Sequence, residues 1–448
     1  MMNRRHFLGA AGAATGLVSG LGAFSFLSPG AQAADYRALV VIDLAGGNDG
    51  HNMLVPVDGA YADYERARTS VLALPKDSLI RLNGTSVGHS FAVHPAMPQV
   101  ASLYNQQRLA FLSNVGALIE PATAAQVKAN AVRLPIGLLS HNDQAGFVQG
   151  ASDDTSGWAG RALESLPAAM KHRVAAVALS NNRTLVQGRR SSVSIVTNGG
   201  NAWWGRSNLT QDDDVITQSV KRMAKWQFAN DYERIYANSL NDAVADSVMF
   251  AQARQMTAEP TADFGSGWFP GQLQFVARVL PVMPSFGMQR QVFFLTHGGF
   301  DTHTSQRGTG EQSQDTLLSV LDKALGALDT TLRANGMSDK VMVMVMTEFG
   351  RTLRPGSGGG SEHAWGTHWM VMGPAVQGGQ VHGRFPPLIP GGVDDGDSEK
   401  NGRFVPTISA DQVGATLMGW LGLGASQTLN VFPNLKHFSA HTIPFLRA

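Results

Sequence analysis

The sequence predicts an α/β protein built on a mainly parallel sheet, and two features predict it. Apolar runs rich in Val, Ile, Leu and Phe recur along the chain and keep ending in Gly, Asp or His clusters. Short continuous runs of this kind fit strands buried on both faces. Between them lie longer helix-compatible stretches, and strands alternating with helices give parallel sheets with crossover connections. In such sheets ligands gather beyond the carboxyl ends of the strands, and the polar clusters of this chain fall at those ends.

The chain opens on "MMNRRHFLGAAGAATGLVSGLGAFSFLSPGAQAAD". Arg4 and Arg5, then Phe7 and Leu8, an apolar stretch diluted with Gly, Ala and Ser, and the small-x-small "AQA" ending at Ala33 resemble a twin-arginine export signal. The expectation is cleavage after Ala33 and a periplasmic mature protein, folded before it crosses the membrane. Residues 7–27 are long enough to span a bilayer, but their glycines make a poor anchor. No later segment has the apolar length of a span.

Six apolar runs then read as strands within 36–50, 108–116, 174–180, 291–303, 340–350 and 367–376, with helices expected in 215–257, 271–280, 314–335 and 410–421. The Gly/Ser tract at 355–363 and the segment 386–403 read as loops too short to be domain linkers. A single domain over 34–448 is therefore expected, with 150–290 as the least regular stretch and room there for a cap or insertion.

Composition limits the chemistry. Of 448 residues, 43% are hydrophobic and 15% charged, which is enough for one large core or two smaller ones. The formal charge is +1, and removing Arg4 and Arg5 with the leader leaves 33 basic against 34 acidic residues. No basic surplus points to nucleic acid or anionic lipid as a partner. There is no cysteine, so neither a disulfide framework nor a thiolate metal site can form, and any transition metal must be held by His, Asp, Glu or hydroxyl groups.

Candidate ligands follow the strand ends. "THGGFDTHTSQ" (296–306) places Asp301 and His303 two residues apart, on one side of an extended segment, where they could share a cation. "TEFGRT" (347–352) puts Glu348 at another strand end, and "GSEHAWGTHW" adds His363 and His368 at loop-like spacing. "LAGGNDGHN" ends the first strand with two glycines before Asp49, while Asp43 lies within the strand as a partnered structural carboxylate. No phosphate-cradling fingerprint is present. Ser140 in "LLSHNDQ" follows an apolar run at a helix start, a position that suits either an N-cap or a nucleophile beside free backbone N–H groups. Each signal read alone is equally that of a solvated loop or a capping residue.

Taken together, the leader, "LAGGNDGHNMLVP", "HPAMPQVASLYNQQRLAFLSNVG", "LLSHNDQA", "GWAGR", "THGGFDTH", "TEFGRT", "HAWGTHWMVMGPAVQGG" and "VHG" resemble the bacterial family called domain-of-unknown-function 1501, in order and over nearly the whole mature chain. That family is similar to the alkaline phosphatase and sulfatase superfamily. The resemblance implies a doubly wound core with helices on both faces of the sheet, and one or two divalent ions of the Zn, Mg, Mn or Ca kind. It further implies Asp49, Asp301, His303, Glu348 and His363 as ligands, with His368 as a substitute, Ser140 as nucleophile, and hydrolysis of a phosphate or sulfate ester on a small molecule or glycan. Arg351 is a candidate for bidentate contact with the tetrahedral anion. Phe349 departs from the superfamily pattern, which has a histidine after the strand-end acid. The alternative is a non-catalytic envelope protein that keeps a degenerate site and binds a partner protein or glycan.

Overall fold

A computed structural model describes residues 35–150, 155–197, 215–223 and 225–447. The twin-arginine leader and its expected cleavage point lie outside the described residues. The strands are β1 (Arg37–Ala45), β2 (Leu54–Pro56), β3 (Ile80–Arg81), β4 (Phe91–Val93), β5 (Leu109–Gly116), β6 (Ala176–Ala178), β7 (Ser194–Ile195), β8 (Arg290–Gly298), β9 (Val341–Met346), β10 (Thr367–Met372), β11 (Val381–Gly383) and β12 (Ile408–Ser409).

The main sheet runs β11-β5-β10-β9-β1-β8-β6-β7, with β12 also paired to β5. Every pairing in it is parallel except those of β10, which runs antiparallel to both β9 and β5. All six expected strands are present. The runs are apolar on successive residues rather than alternating because the sheet is covered on both faces. Along β1, Ala38, Val40, Ile42 and Leu44 enter one core and Leu39 and Val41 the other. The first core takes helices Pro98–Asn105, Trp268–Val279 and Gln314–Ala334; the second takes His141–Gln149, Trp158–Ser165 and Ala410–Leu421. The fold is thus doubly wound and α/β. Each fully buried Val, Leu or Ile contributes roughly 1.5–3 kcal/mol relative to exposure, which is why alternation is absent from the central strands.

The expected helix over 215–257 divides into Val215–Met223 and Asp231–Gln255. Asn230 starts the second, its side-chain oxygen accepting from the N–H of Tyr232 at 2.8 Å and of Glu233 at 3.4 Å. Within 150–290, β6 and β7 extend the main sheet. A separate antiparallel sheet, β2-β4-β3, was not expected from the sequence. Its strands are two or three residues long, too short to show a period. Among the described residues no helix is long and apolar enough to cross a membrane.

Candidate metal centre

Because β10 runs against its neighbours, its start lies at the carboxyl edge of β9, β1 and β8. The segments after β8 and β9 and before β10 therefore meet there. Asp301 and His303 follow β8, Glu348 follows β9, and His363 precedes β10. Isolated bridges fasten these loops: Arg351 pairs with His363, and Thr304 with Gly359. The Gly/Ser tract makes the second possible. A Cβ on Gly360 would lie 2.0 Å from the Thr302 carbonyl oxygen, and one on Gly358 would lie 2.6 Å from the Thr304 methyl. Only glycine lets the two loops approach this closely.

The first strand contributes backbone. Gly46 and Gly47 both have positive φ, 117° and 80°. A Cβ at Gly46 would meet the Asp301 N–H nitrogen at 2.4 Å, and one at Gly47 the Phe349 ring at 2.3 Å. The Gly46 N–H donates to Glu348 Oε1 at 2.9 Å.

A residue absent from the expected ligand set completes the cluster. His141, the first residue of helix His141–Gln149, donates from Nδ1 to Glu348 Oε1 at 2.9 Å and turns Nε2 toward Asp301 Oδ2 at 3.4 Å. His363 donates from Nδ1 to the Leu139 carbonyl at 2.8 Å, with Nε2 3.2 Å from Asp301 Oδ1. His303 does the same through Glu362 Oε2 at 2.6 Å, and its Nε2 lies 3.1 Å from Asp301 Oδ1 and 3.0 Å from His363 Nε2. These tautomers are assigned from the partners, each of which can only accept from Nδ1. Three imidazole Nε2 atoms thus face one carboxylate, where each can donate to it as an imidazolium N–H or, when neutral, offer a lone pair to a cation. Ligand atoms of His141, Asp301 and His363 fall within 4.8 Å of one another. The residues therefore fit a divalent metal, with outer carboxylates and a carbonyl fixing ring orientation as they do around bound metals.

The electrostatics differ from group to group. Burial alone pushes the Asp301 carboxyl up, but Arg351, His363 and His141 hold it down at about 2. The hydrogen bond to Glu348 raises the pKa of His141. Burial lowers that of His363 and keeps it neutral, the form that binds metal.

Other expected residues sit elsewhere. Asp49 is fully buried, pairs with Arg68, accepts from Gln306 Nε2 at 2.6 Å and caps the turn Gly50–Met53 through the His51 N–H at 3.0 Å. With its oxygens so occupied, it is a structural carboxylate. His368 is buried in β10, stacked on Phe385 with centroids 5.1 Å apart, and its Nδ1 accepts from the Asn114 N–H at 3.2 Å. Arg351 does not face the cleft. Its guanidinium donates to the carbonyls of Gly46, Gly47 and Ser361 and to Asp301, and it is wholly buried, so it positions Asp301 and the double-glycine turn. Glu348 orients His141 through the bond that would compete with a direct role as ligand. Asp43 accepts from Gln149 and Asn182 at 3.3 and 3.2 Å; burial and the charge of Glu348 push its carboxyl up.

Ser140 is the N-cap residue of the His141 helix, yet its side chain makes no capping hydrogen bond. It follows Leu139, whose φ of 72° is a conformation that bulky residues rarely adopt and that collects at functional sites. The half-buried hydroxyl stands next to His141 and next to the carbonyl that holds His363. The sequence placed His141 beside Ser140, and that adjacency was the signal for it. Phe349 fills the space between imidazoles, with centroids 4.9 Å from His141 and 4.6 Å from His363.

A search of curated proteins gives no match. Solved structures similar to the chain include the lipoteichoic acid synthase LtaP from Listeria monocytogenes, at 10% identity and TM-score 0.33, covering 88% of this chain and 74% of that one. The phosphonate monoester hydrolase SpPMH from Silicibacter pomeroyi matches at 12% and 0.31, covering 87% and 74%. The PsFucS1 sulfatase from Pseudoalteromonas sp. matches at 11% and 0.31, covering 87% and 72%. At TM-scores this low the likeness says nothing of what this chain does. The double-glycine turn, the Ser140–His141 helix start and the Asp301 and His363 loops all lie within residues 36–400, which match the model for "Protein of unknown function (DUF1501)", and the chain belongs to that family.

Proposed function

We propose that this is an exported, metal-dependent hydrolase of a phosphate- or sulfate-type ester, carried on a small molecule or a glycan in the periplasm. The observation that carries the reading is the convergence of three Nε2 atoms on Asp301 beside an uncapped serine at a helix start. A bound divalent ion would supply Lewis-acid stabilisation of charge developing on the non-bridging oxygens. His141, His363 and Asp301 would hold it, with His303 at their side.

The chain's own part is orientation and nucleophilicity. Glu348, Glu362 and the Leu139 carbonyl each fix one imidazole ring. Arg351 fixes Asp301. The first-turn N–H groups of the His141 helix are uncapped by the Ser140 side chain and carry the positive end of the helix dipole, which favours an anion. Ser140 Oγ gives up its hydroxyl proton and forms the bond to phosphorus or sulfur as the bond to the ester oxygen breaks, and that oxygen leaves with a proton, so none is gained or lost overall. Water then releases the acid and restores Ser140.

Ser140→Ala decides this. With the mature protein loaded with divalent metal, a panel of aryl phosphate and sulfate esters should give at least one substrate turned over by the wild type and not by the variant, with metal content unchanged. Equal rates in both would remove Ser140 from the chemistry. A wild type that turns over none of the panel would favour the second reading, an envelope protein that binds a partner protein or a glycan. Phe349 supports that alternative by filling the space against His141 and His363 where a further ligand would stand.

A further inference from the structure

We infer that the centre is built for one borderline transition-metal ion, of the zinc or cobalt kind, in preference to calcium or magnesium, with His303 as a fourth ligand beside His141, Asp301 and His363. The inference rests on the reading of this cluster as a metal site and goes on to its ligand number, its stoichiometry and the class of ion.

Donor type comes first. Calcium takes six to eight oxygen ligands and magnesium keeps an oxygen and water shell, whereas imidazole nitrogen suits zinc and its neighbours. Here three of the four inward donors are imidazole nitrogens. Their flexibility is removed by second partners: Nδ1 of His141 is tied to Glu348 at 2.9 Å, that of His303 to Glu362 at 2.6 Å and that of His363 to the Leu139 carbonyl at 2.8 Å.

Spacing comes second. Four ligands about 2.0–2.1 Å from a tetrahedral ion stand roughly 3.3 Å from one another. The separations found are 3.0 Å between His303 Nε2 and His363 Nε2, 3.1 and 3.2 Å from those atoms to Asp301 Oδ1, and 3.4 Å from His141 Nε2 to Asp301 Oδ2. These separations have the length of ligand–ligand edges about one ion, and ligand atoms of His141, Asp301 and His363 all lie within 4.8 Å of one another.

Stoichiometry follows from what surrounds Asp301. In a two-metal centre a bridging carboxylate gives one oxygen to each ion. Here the buried Arg351 guanidinium donates to Asp301 Oδ1, so only Oδ2, the oxygen 3.4 Å from His141 Nε2, is free of a fixed cation and the carboxylate is not placed to bridge two ions. The Phe349 ring packs against His141 and His363. Arg351 and Phe349 together take the room and the charge of a second ion.

The test is metal binding by the mature full-length chain after dialysis against chelator, read by calorimetry with zinc, calcium and magnesium chlorides and by visible absorption with cobalt chloride. One equivalent of zinc should bind at least 100-fold more tightly than calcium or magnesium. Cobalt should give the intense visible bands of a four-coordinate ion, and zinc should abolish them. His303→Ala should weaken zinc at least tenfold. Glu362→Gln, which touches the site only through His303 Nδ1, should weaken it by about 10–100-fold, the usual effect of an outer partner. Melting curves without metal establish that each variant is folded; if His303→Ala is not, Glu362→Gln carries the test. Two equivalents of zinc, calcium or magnesium binding as tight as zinc, or unchanged affinity in Glu362→Gln would each overturn the inference. Turnover supported by calcium alone would sink it and leave the hydrolase reading standing, while one tight zinc without turnover of any ester would do the reverse.

Discussion

Arg351 lies wholly inside the protein, and its donors reach Gly46, Gly47, Ser361 and Asp301. Taking it away leaves three carbonyls without their donor and the half-exposed Asp301 without its guanidinium, a loss of about 3–5 kcal/mol in all. Arg351→Met should therefore lose stability by about that amount in urea unfolding, and Arg351→Lys should recover little of it, because an ammonium cannot reproduce the planar fork. A loss below about 1 kcal/mol would show that the guanidinium is not the brace described here. Ser140→Ala should do the opposite and stay within about 0.5 kcal/mol of the wild type, since no cap is removed. Residue placement was legible in the sequence where strand position marked it: Asp301, His303, Glu348 and His363 stand near strand ends and do converge. Asp49 and His368 carry the same chemistry in the same motifs, but their partners, Arg68, Gln306 and Phe385, are distant in sequence, and nothing local marks such pairings. Arg351 was misread for a related reason. An arginine after a strand end reads alike whether it faces solvent or turns inward onto backbone carbonyls.

The loops at the carboxyl edge are held by close backbone approach, which gives glycine a role the sequence could only mark as flexibility. Ser361 N–H donates to the Thr302 carbonyl at 3.1 Å, and the N–H groups of Ser305 and Gln306 donate to Gly358 and Gly359 at 3.3 Å each. Gly360 sits in the middle of this seam, and its missing Cβ is what allows the contact at 2.0 Å. Gly360→Ala should push the loops apart, with an overpacking cost of about 1–3 kcal/mol. Because His303 and Glu362 lie on opposite sides of the seam, the same substitution should also weaken metal binding. Thermal melts with and without zinc measure both effects. A variant that melts lower but keeps the full zinc-induced rise would confine glycine's role to stability. The long strands were legible because burial on both faces writes them as unbroken apolar runs. The reversal of β10 was not, since a strand covered on both faces carries the same run in either direction, and the turn that reverses it is the long polar insert from 347 to 366.

At the scale of the whole molecule, the first strand of the described chain lies in the middle of the sheet. Arg37 pairs with Arg290 of β8 and Ala38 with Val341 of β9, so the centre of the fold cannot close until residues near the far end of the chain have been made. Sheets with such distant pairings fold slowly, because loop closure must be completed before the contacts reward it. The export route proposed from Arg4 and Arg5, the twin-arginine one, would carry the protein already folded, with these distant pairings made before it crosses the membrane. The prediction is that changing Arg4 and Arg5 together to lysine keeps the charge but loses the recognised pair. The protein should then stay in the cytoplasm with its leader attached, folded and protease-resistant, while the wild type is recovered from the periplasm beginning near Ala34. Fractionation followed by N-terminal sequencing of each pool measures this. Periplasmic, processed protein from the double-lysine variant would mean that the general secretory route delivers the chain, and that its central strand pairs with β8 and β9 only after crossing.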